Sequence, residues 1–182
     1  MTNHPTNPSQ PRTGTSGLTA GSWVLDATRS SVEIKQKSVW GLATVTAAFT
    51  RLDGEGEIGL DGSVHGTLTI DAASIHSKQA KLDNHLRSAD FFDVQRHPTF
   101  TFAATGVAVD HAGTAEVTGH LTVLGRTRPI TFSSRTTSAG PDDVTLSSEV
   151  IIDRNDFGMS WNRAGMIKGL TTVTLITRFT RR

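Results

Sequence analysis

Val64-His65-Gly66-Thr67-Leu68-Thr69-Ile70 alternates an apolar or small residue with a polar one along its whole length, the signature of a strand with one dry face and one wet face. Working outward, the same period recurs. Val32 and Ile34 alternate with Glu33 and Lys35, and Val45, Ala47 and Phe49 with Thr44, Thr46 and Thr50. Downstream, Phe100 and Phe102 alternate with Thr99 and Thr101. Val117, Gly119, Leu121 and Val123 alternate with Glu116, Thr118, His120 and Thr122. Leu146, Val150 and Ile152, then Val173, Leu175 and Phe179, close the series.

With Trp23–Leu25 and Ile130–Phe132 added, this predicts roughly eight or nine strands, parted by turns at Asp53-Gly54, Asp61-Gly62 and His111-Ala112-Gly113. Only Lys78–Arg87 reads as a helix. Many one-sided strands with no helical layer to cover them must close on themselves or stack as two sheets. The expected fold is therefore all-β, and of the two the antiparallel eight-stranded barrel with one short helix is favoured, because eight strands enclose a small ligand and leave no open edge.

Residues 1–21, rich in Thr, Asn, Pro, Ser and Gly, read as a disordered N-terminal arm, leaving residues 22–182 as one domain. The chain lacks the apolar run of a signal peptide and any stretch long enough to cross a bilayer, so a cytoplasmic protein without a transmembrane segment is expected. Cysteine is absent, which removes disulfides, thiol nucleophiles and thiolate metal sites and agrees with a reducing compartment. With 18 Lys and Arg against 17 Asp and Glu, the net charge is +1. The charges are interspersed apart from Arg178, Arg181 and Arg182, so nucleic acid is not an expected partner.

The inward positions include Ala47, Gly66, Ala104, Gly119 and Ser148 among larger apolar residues. Alternation fits two interiors equally: one filled at core density, or one hollow around a ligand. Asp83–Phe102 (DNHLRSADFFDVQRHPTFTF) sets a charged helix and turn against four phenylalanines, like a door on an apolar container. A long chain gains about 0.8 kcal/mol per CH2 buried in such an interior, with selectivity left to polar groups at its mouth.

Four blocks in order resemble the YceI-like family of lipocalin-like polyisoprenoid-binding proteins, over nearly all of Ser22–Arg182. They are Trp23-Val24-Leu25-Asp26 with Ser30, Ser31 and Val32; Asp83–Phe102; Gly119–Val123 with Gly125–Ile130; and Asp153–Gly158. The resemblance implies an eight-stranded barrel holding a long amphiphilic isoprenoid or fatty-acid-like lipid, with no cofactor, no reaction and a possible homodimer. Leu82 stands where the family often has Arg, and Lys37-Ser38 where it often has a basic residue and His.

The lining and mouth residues expected on this reading are Phe49, Leu68, Phe92, Phe100, Phe102, Gly119, Leu121 and Trp161, with His85 and Arg87 placed to meet a head group. Phe91 is expected to pack away from the lumen, because neighbours in a turn do not normally both face inward. Trp161, with Met159, Met166 and Ile167, makes a lid or a plug. A plainer role for Arg87 and Asp90 is to hold the helix-to-strand turn together. Two other functions fit the same residues less well. One is a metal-dependent hydrolase at Asp83, His85 and His97, with Ser88 and Asp93 nearby, although no HExxH, GxSxG or phosphate loop is present. The other is a stress-associated protein-interaction module using the N-terminal arm or an exposed strand.

Overall fold

The structure, a computed structural model, describes residues 17–110 and 112–182. Most of the arm expected over residues 1–21 lies outside the described residues, as does His111. The last residues of that stretch are docked: Thr19 N donates to Pro141 O at 2.8 Å, and the first strand begins at Gly21.

Eleven strand segments form one antiparallel sheet: β1 (Gly21–Leu25), β2 (Ser31–Ser38), β3 (Ala43–Phe49), β4 (Leu52–Ile58), β5 (Val64–Asp71), β6 (Ile75–His76), β7 (Thr99–Val109), β8 (Thr114–Val123), β9 (Arg126–Gly140), β10 (Asp143–Asp153) and β11 (Leu170–Arg181). A single α-helix, α1 (Ala80–Arg87), lies between β6 and β7. The order β1-β4-β5-β7-β8-β9-β10-β11 returns to β1 through Trp23↔Arg181, Val24↔Thr180 and Leu25↔Phe179, which closes the barrel.

Eleven segments make eight ribbons because three neighbouring ribbons break at one level. β1 and β2 are one ribbon bent at the 3-10 turn Ala27–Arg29. There β11 changes partner, from Ile176↔Ser31 on β2 to Phe179↔Leu25 on β1. Beside it β3 runs into β4 through Thr50 and Arg51, and next to that β5 runs into β6 through the turn Ala72–Ser74. Local hydroxyls take over the backbone partners that the bend removes. Ser30 Oγ accepts from Arg178 N at 3.0 Å, and Ser74 Oγ accepts from Thr50 N and Arg51 N at 3.2 and 3.1 Å.

Two expectations need correction. Asp53-Gly54 is not a turn but the interior of β4. Glycines mark a turn only when the chain reverses, and here they let other groups come close: a Cβ on Gly54 would sit 3.0 Å from Thr67 O and 3.2 Å from Leu25 Cβ. The Ile130–Phe132 strand is in fact the long β9, whose later inward residues include Ser134 and Thr136. Polar residues on the dry face hid its period, although Ser134 is only 1 % exposed and its Oγ donates to Ser147 O at 3.3 Å.

Candidate functional site: a two-chambered interior

β6 contains only two residues before the chain leaves the sheet, so the wall between β3 and β7 is completed at one end by α1 and the turn after it. Apolar spacing on the helix turns Leu82 and Leu86 inward, and Phe92 follows them. Phe92 packs against Phe49 and Phe100, with ring centroids 5.9 and 5.2 Å apart, and Phe49 meets Phe100 edge-on at 5.9 Å.

The interior is hollow. A chamber of about 150 Å³ lies under Trp23, Leu68, Phe102, Val117, Phe132 and Phe179. A second of about 190 Å³ lies at the helix end, walled by Val32, Phe49, Phe91, Phe92, Phe100, Leu121 and Val173 among others. Successive inward residues fall on opposite sides of the divide: Leu68 and Ile70 on β5, Phe102 and Phe100 on β7, Leu175 and Val173 on β11. The partition is thus one pleat thick, about 7 Å along a strand. The polar groups in the second wall are Gln36, Ser38, Arg154 and Thr171.

Of the expected lining residues, Leu68 and Phe102 face the first chamber, and Phe49, Phe92, Phe100 and Leu121 face the second. Phe91 also faces the second chamber, against expectation. Phe91 N and Asp93 N both donate to Ser88 O, at 3.1 and 2.9 Å, and in so tight a turn adjacent side chains diverge by less than the half-turn of a strand.

Gly119 lines neither chamber. The Phe102 ring covers it, and a Cβ placed there would lie 2.6 Å from Phe102 Cζ and closer still to Ala103 O. The gap expected at Gly119 is therefore filled, and the hollows lie on either side of it. Trp161 stands outside the second wall, edge-on to the His85 ring at 4.8 Å and 5.2 Å from Phe91. Its loop is tied down as a plug would be: Asn162 and Ile167 exchange two hydrogen bonds at 3.0 and 2.9 Å, and Met159 and Ile167 contribute to the wall.

His85 and Arg87 do not reach a chamber. His85 Nε2 lies 3.0 Å from Asp90 Oδ2, which fastens the helix to the turn. Arg87 Nε donates to Ala73 O at 2.8 Å and Nη2 to Ile75 O at 2.6 Å, so its fork clasps the bend between β5 and β6 and not a head group or Asp90. Asp83 completes the clasp. It is 4 % exposed and accepts from Ser77 Oγ at 2.5 Å and Ser77 N at 2.7 Å, while its Oδ2 lies 3.0 Å from His76 Nδ1. The Ser77 hydroxyl holds the Asp83 carboxyl below the usual carboxylate range, against the opposing effect of burial.

In that cluster Asp83 bridges Ser77 and His76, whereas a hydrolytic triad needs His between Ser and Asp. Among the described residues no group of three or more His, Asp or Glu is placed to hold a metal ion. Asp83, His85 and His97 are thus not assembled as ligands, since the first two are committed to separate partners.

One wall residue escaped sequence reasoning. Arg154 sits in the Asp153–Gly158 turn and is 4 % exposed. Its Nη2 donates to Trp161 O at 2.7 Å, whereas Nε and Nη1 are buried without partners. Burial pushes its pKa down and the Asp153 charge opposes that shift. A cation in the DRNDF turn next to aromatic residues was the available signal, but such arginines are usually solvated.

The YceI-like domain model matches residues 23–179, nearly the whole barrel. The chain belongs to the YceI-like domain family. Curated relatives include a UPF0312 protein of Ectopseudomonas mendocina, 40% identical over 76 residues, or 42% of this chain and 40% of that one. A UPF0312 protein of Vibrio cholerae is 33% identical over 129 residues, 68% of this chain and 67% of that one. The first of these matches spans only about two-fifths of the relative's length. The YceI-like barrel also superposes on Burkholderia cenocepacia BcnA with TM-score 0.76 at 19% identity, covering 85% of this chain and 98% of that one. A polyisoprenoid binding domain from Saccharophagus degradans, implicated in plant cell wall breakdown, gives 0.73 at 16% identity, covering 88% and 98%. These likenesses confirm the antiparallel barrel favoured on the alternation and the lipocalin-like form that the family resemblance implied.

Proposed function

We propose that this YceI-like protein is a non-catalytic carrier that holds an amphiphilic lipid, an isoprenoid or a chain of similar width, inside its barrel. The observation that carries the reading is the pair of apolar chambers stacked along one closed barrel. The polyisoprenoid binding domain of similar fold supports the isoprenoid class. Each chamber is smaller than an ordinary ligand pocket, which starts at about 300 Å³. A long chain must therefore run through both and displace the Phe100 and Phe102 rings that part them. About ten buried CH2 groups give about 8 kcal/mol, enough to offset confinement and ring displacement.

Native mass spectrometry with organic extraction of the purified protein tests this. A released long-chain apolar molecule is expected, with lower occupancy in Val173→Phe, which narrows the second chamber, and in Val117→Phe, which narrows the first. Protein that stays empty when offered prenyl and acyl chains overturns the proposal. Gly119→Phe is not a usable filling variant, because its side chain would meet Phe102 and the Ala103 carbonyl before it reached either hollow.

The proposal includes a cytoplasmic setting, with which the absence of cysteine agrees. Among the described residues no helix is long and apolar enough to cross a membrane. It also includes a homodimer, supported by the exposed Trp40 and Leu42, 61 % and 86 % accessible, at the β2–β3 tip beside the second chamber. Cell fractionation and light scattering test these parts; recovery outside the cytoplasm, or a monomer at all concentrations, overturns the respective one.

A further inference from the structure

The second chamber has an apolar wall with one buried cation in it. Arg154 keeps its charge at any pH the fold experiences, yet two of its three guanidinium nitrogens have no hydrogen-bond partner. The third is bound to a neutral carbonyl, Trp161 O. The adjacent Asp153 does not neutralise it by contact: its Oδ1 accepts from Asn155 N at 2.9 Å and Asn155 Nδ2 at 2.7 Å. Two other polar side chains of the wall, those of Gln36 and Thr171, are already engaged. Gln36 Nε2 donates to Lys168 O at 2.8 Å and Leu170 O at 3.2 Å, and Thr171 Oγ1 donates to Gln36 Oε1. A buried guanidinium with unbonded donors is costly, and native interiors satisfy such groups. Here the missing partner has somewhere to sit, because the side chain borders a hollow.

We infer that Arg154 is the head-group site of the second chamber and that it selects amphiphiles with an anionic head, a carboxylate or a phosphate, bound head-first against the guanidinium. This rests on the carrier reading and narrows it from apolar chains in general to acidic ones. The planar fork of Arg suits two parallel bonds to the oxygens of either group, and the apolar walls keep the chain in place. Sequence reasoning had given this task to Arg87 and His85, whose bonds are satisfied by backbone carbonyls and by Asp90.

The test is calorimetric titration of the delipidated full chain with geranylgeranyl phosphate and palmitate, each beside its neutral alcohol, geranylgeraniol and hexadecanol, and with inorganic phosphate. At least one anionic amphiphile should bind about ten-fold or more tightly than its alcohol, the scale of a charge-assisted bond. Arg154→Gln, which retains a donor for Trp161 O, should erase that preference, bringing each acid to within about two-fold of its own alcohol, and Arg154→Lys should restore part of it. Alcohols binding as tightly as the acids in the wild type overturn the inference, as does a preference that survives in Arg154→Gln. Inorganic phosphate binding as well as the lipid phosphate overturns it too, since the chamber would then need no chain. If Arg154→Gln does not fold, the wild-type comparison together with Arg154→Lys decides. Binding of the alcohols alone refutes the head-group site and leaves the carrier standing, whereas no binding of any amphiphile refutes both.

Discussion

At the residue scale, the charged part of the Asp83–Phe102 block encodes backbone geometry. Asp83 takes the Ser77 amide and hydroxyl and faces the His76 ring, so Asp83→Asn should destabilise the fold by about 1–3 kcal/mol in urea denaturation. Because the folded carboxyl is held below its ordinary value, its contribution is complete above the unfolded pKa of about 4. It is lost as the pH falls through the lower folded value. The stability gap between wild type and Asp83→Asn should therefore be constant near neutrality and shrink below about pH 4. Gly119 gives a second prediction at this scale. Phe102 occupies the place of the missing side chain, so Gly119→Ala should cost about 1–3 kcal/mol by overpacking, whereas a truly empty site would accept the methyl group.

At the element scale, α1 substitutes for the strand that β6 does not continue. It is held by the Arg87 fork on Ala73 O and Ile75 O and by the inward Leu82 and Leu86. Arg87→Met should speed amide exchange in α1 and residues 72–76 well before β8, since the loss falls on one clasp and the β7–β8–β9 ladder is untouched. The block read clearly as a helix and a turn joined to a strand. Which of its side chains faced inward did not, because a turn has no fixed period from which to project Phe91 and Phe92. Period two failed in a different way at β9, where Ser134 and Thr136 face the interior, and at β4, where Gly54 stands inside a strand.

At the scale of the whole molecule, a closed barrel with two unfilled chambers gives up packing that a ligand restores. Protein stripped of lipid should melt about 5–10 °C lower than protein saturated at about a hundred times Kd, by scanning calorimetry. The shift follows from about 2.7 kcal/mol of binding free energy and the entropy of unfolding expected for a chain of this length. Equal melting temperatures with and without lipid would contradict a carrier whose interior awaits its cargo.

The sequence by itself determined the one-sided strands, their number to within the three bent ribbons, an all-β fold that must close or stack, and the single helix. These follow from local alternation and from the need to cover a dry face. Only the tertiary structure decided that the sheet closes, that the interior is hollow, that Phe102 fills the place of Gly119, that Arg87 clasps backbone, and that Arg154 keeps two unbonded donors at the second chamber. The physical reason is that volume and pairing belong to the space between elements. A pattern along one strand fixes which way a side chain points, and what it meets there is set by residues far away in the chain.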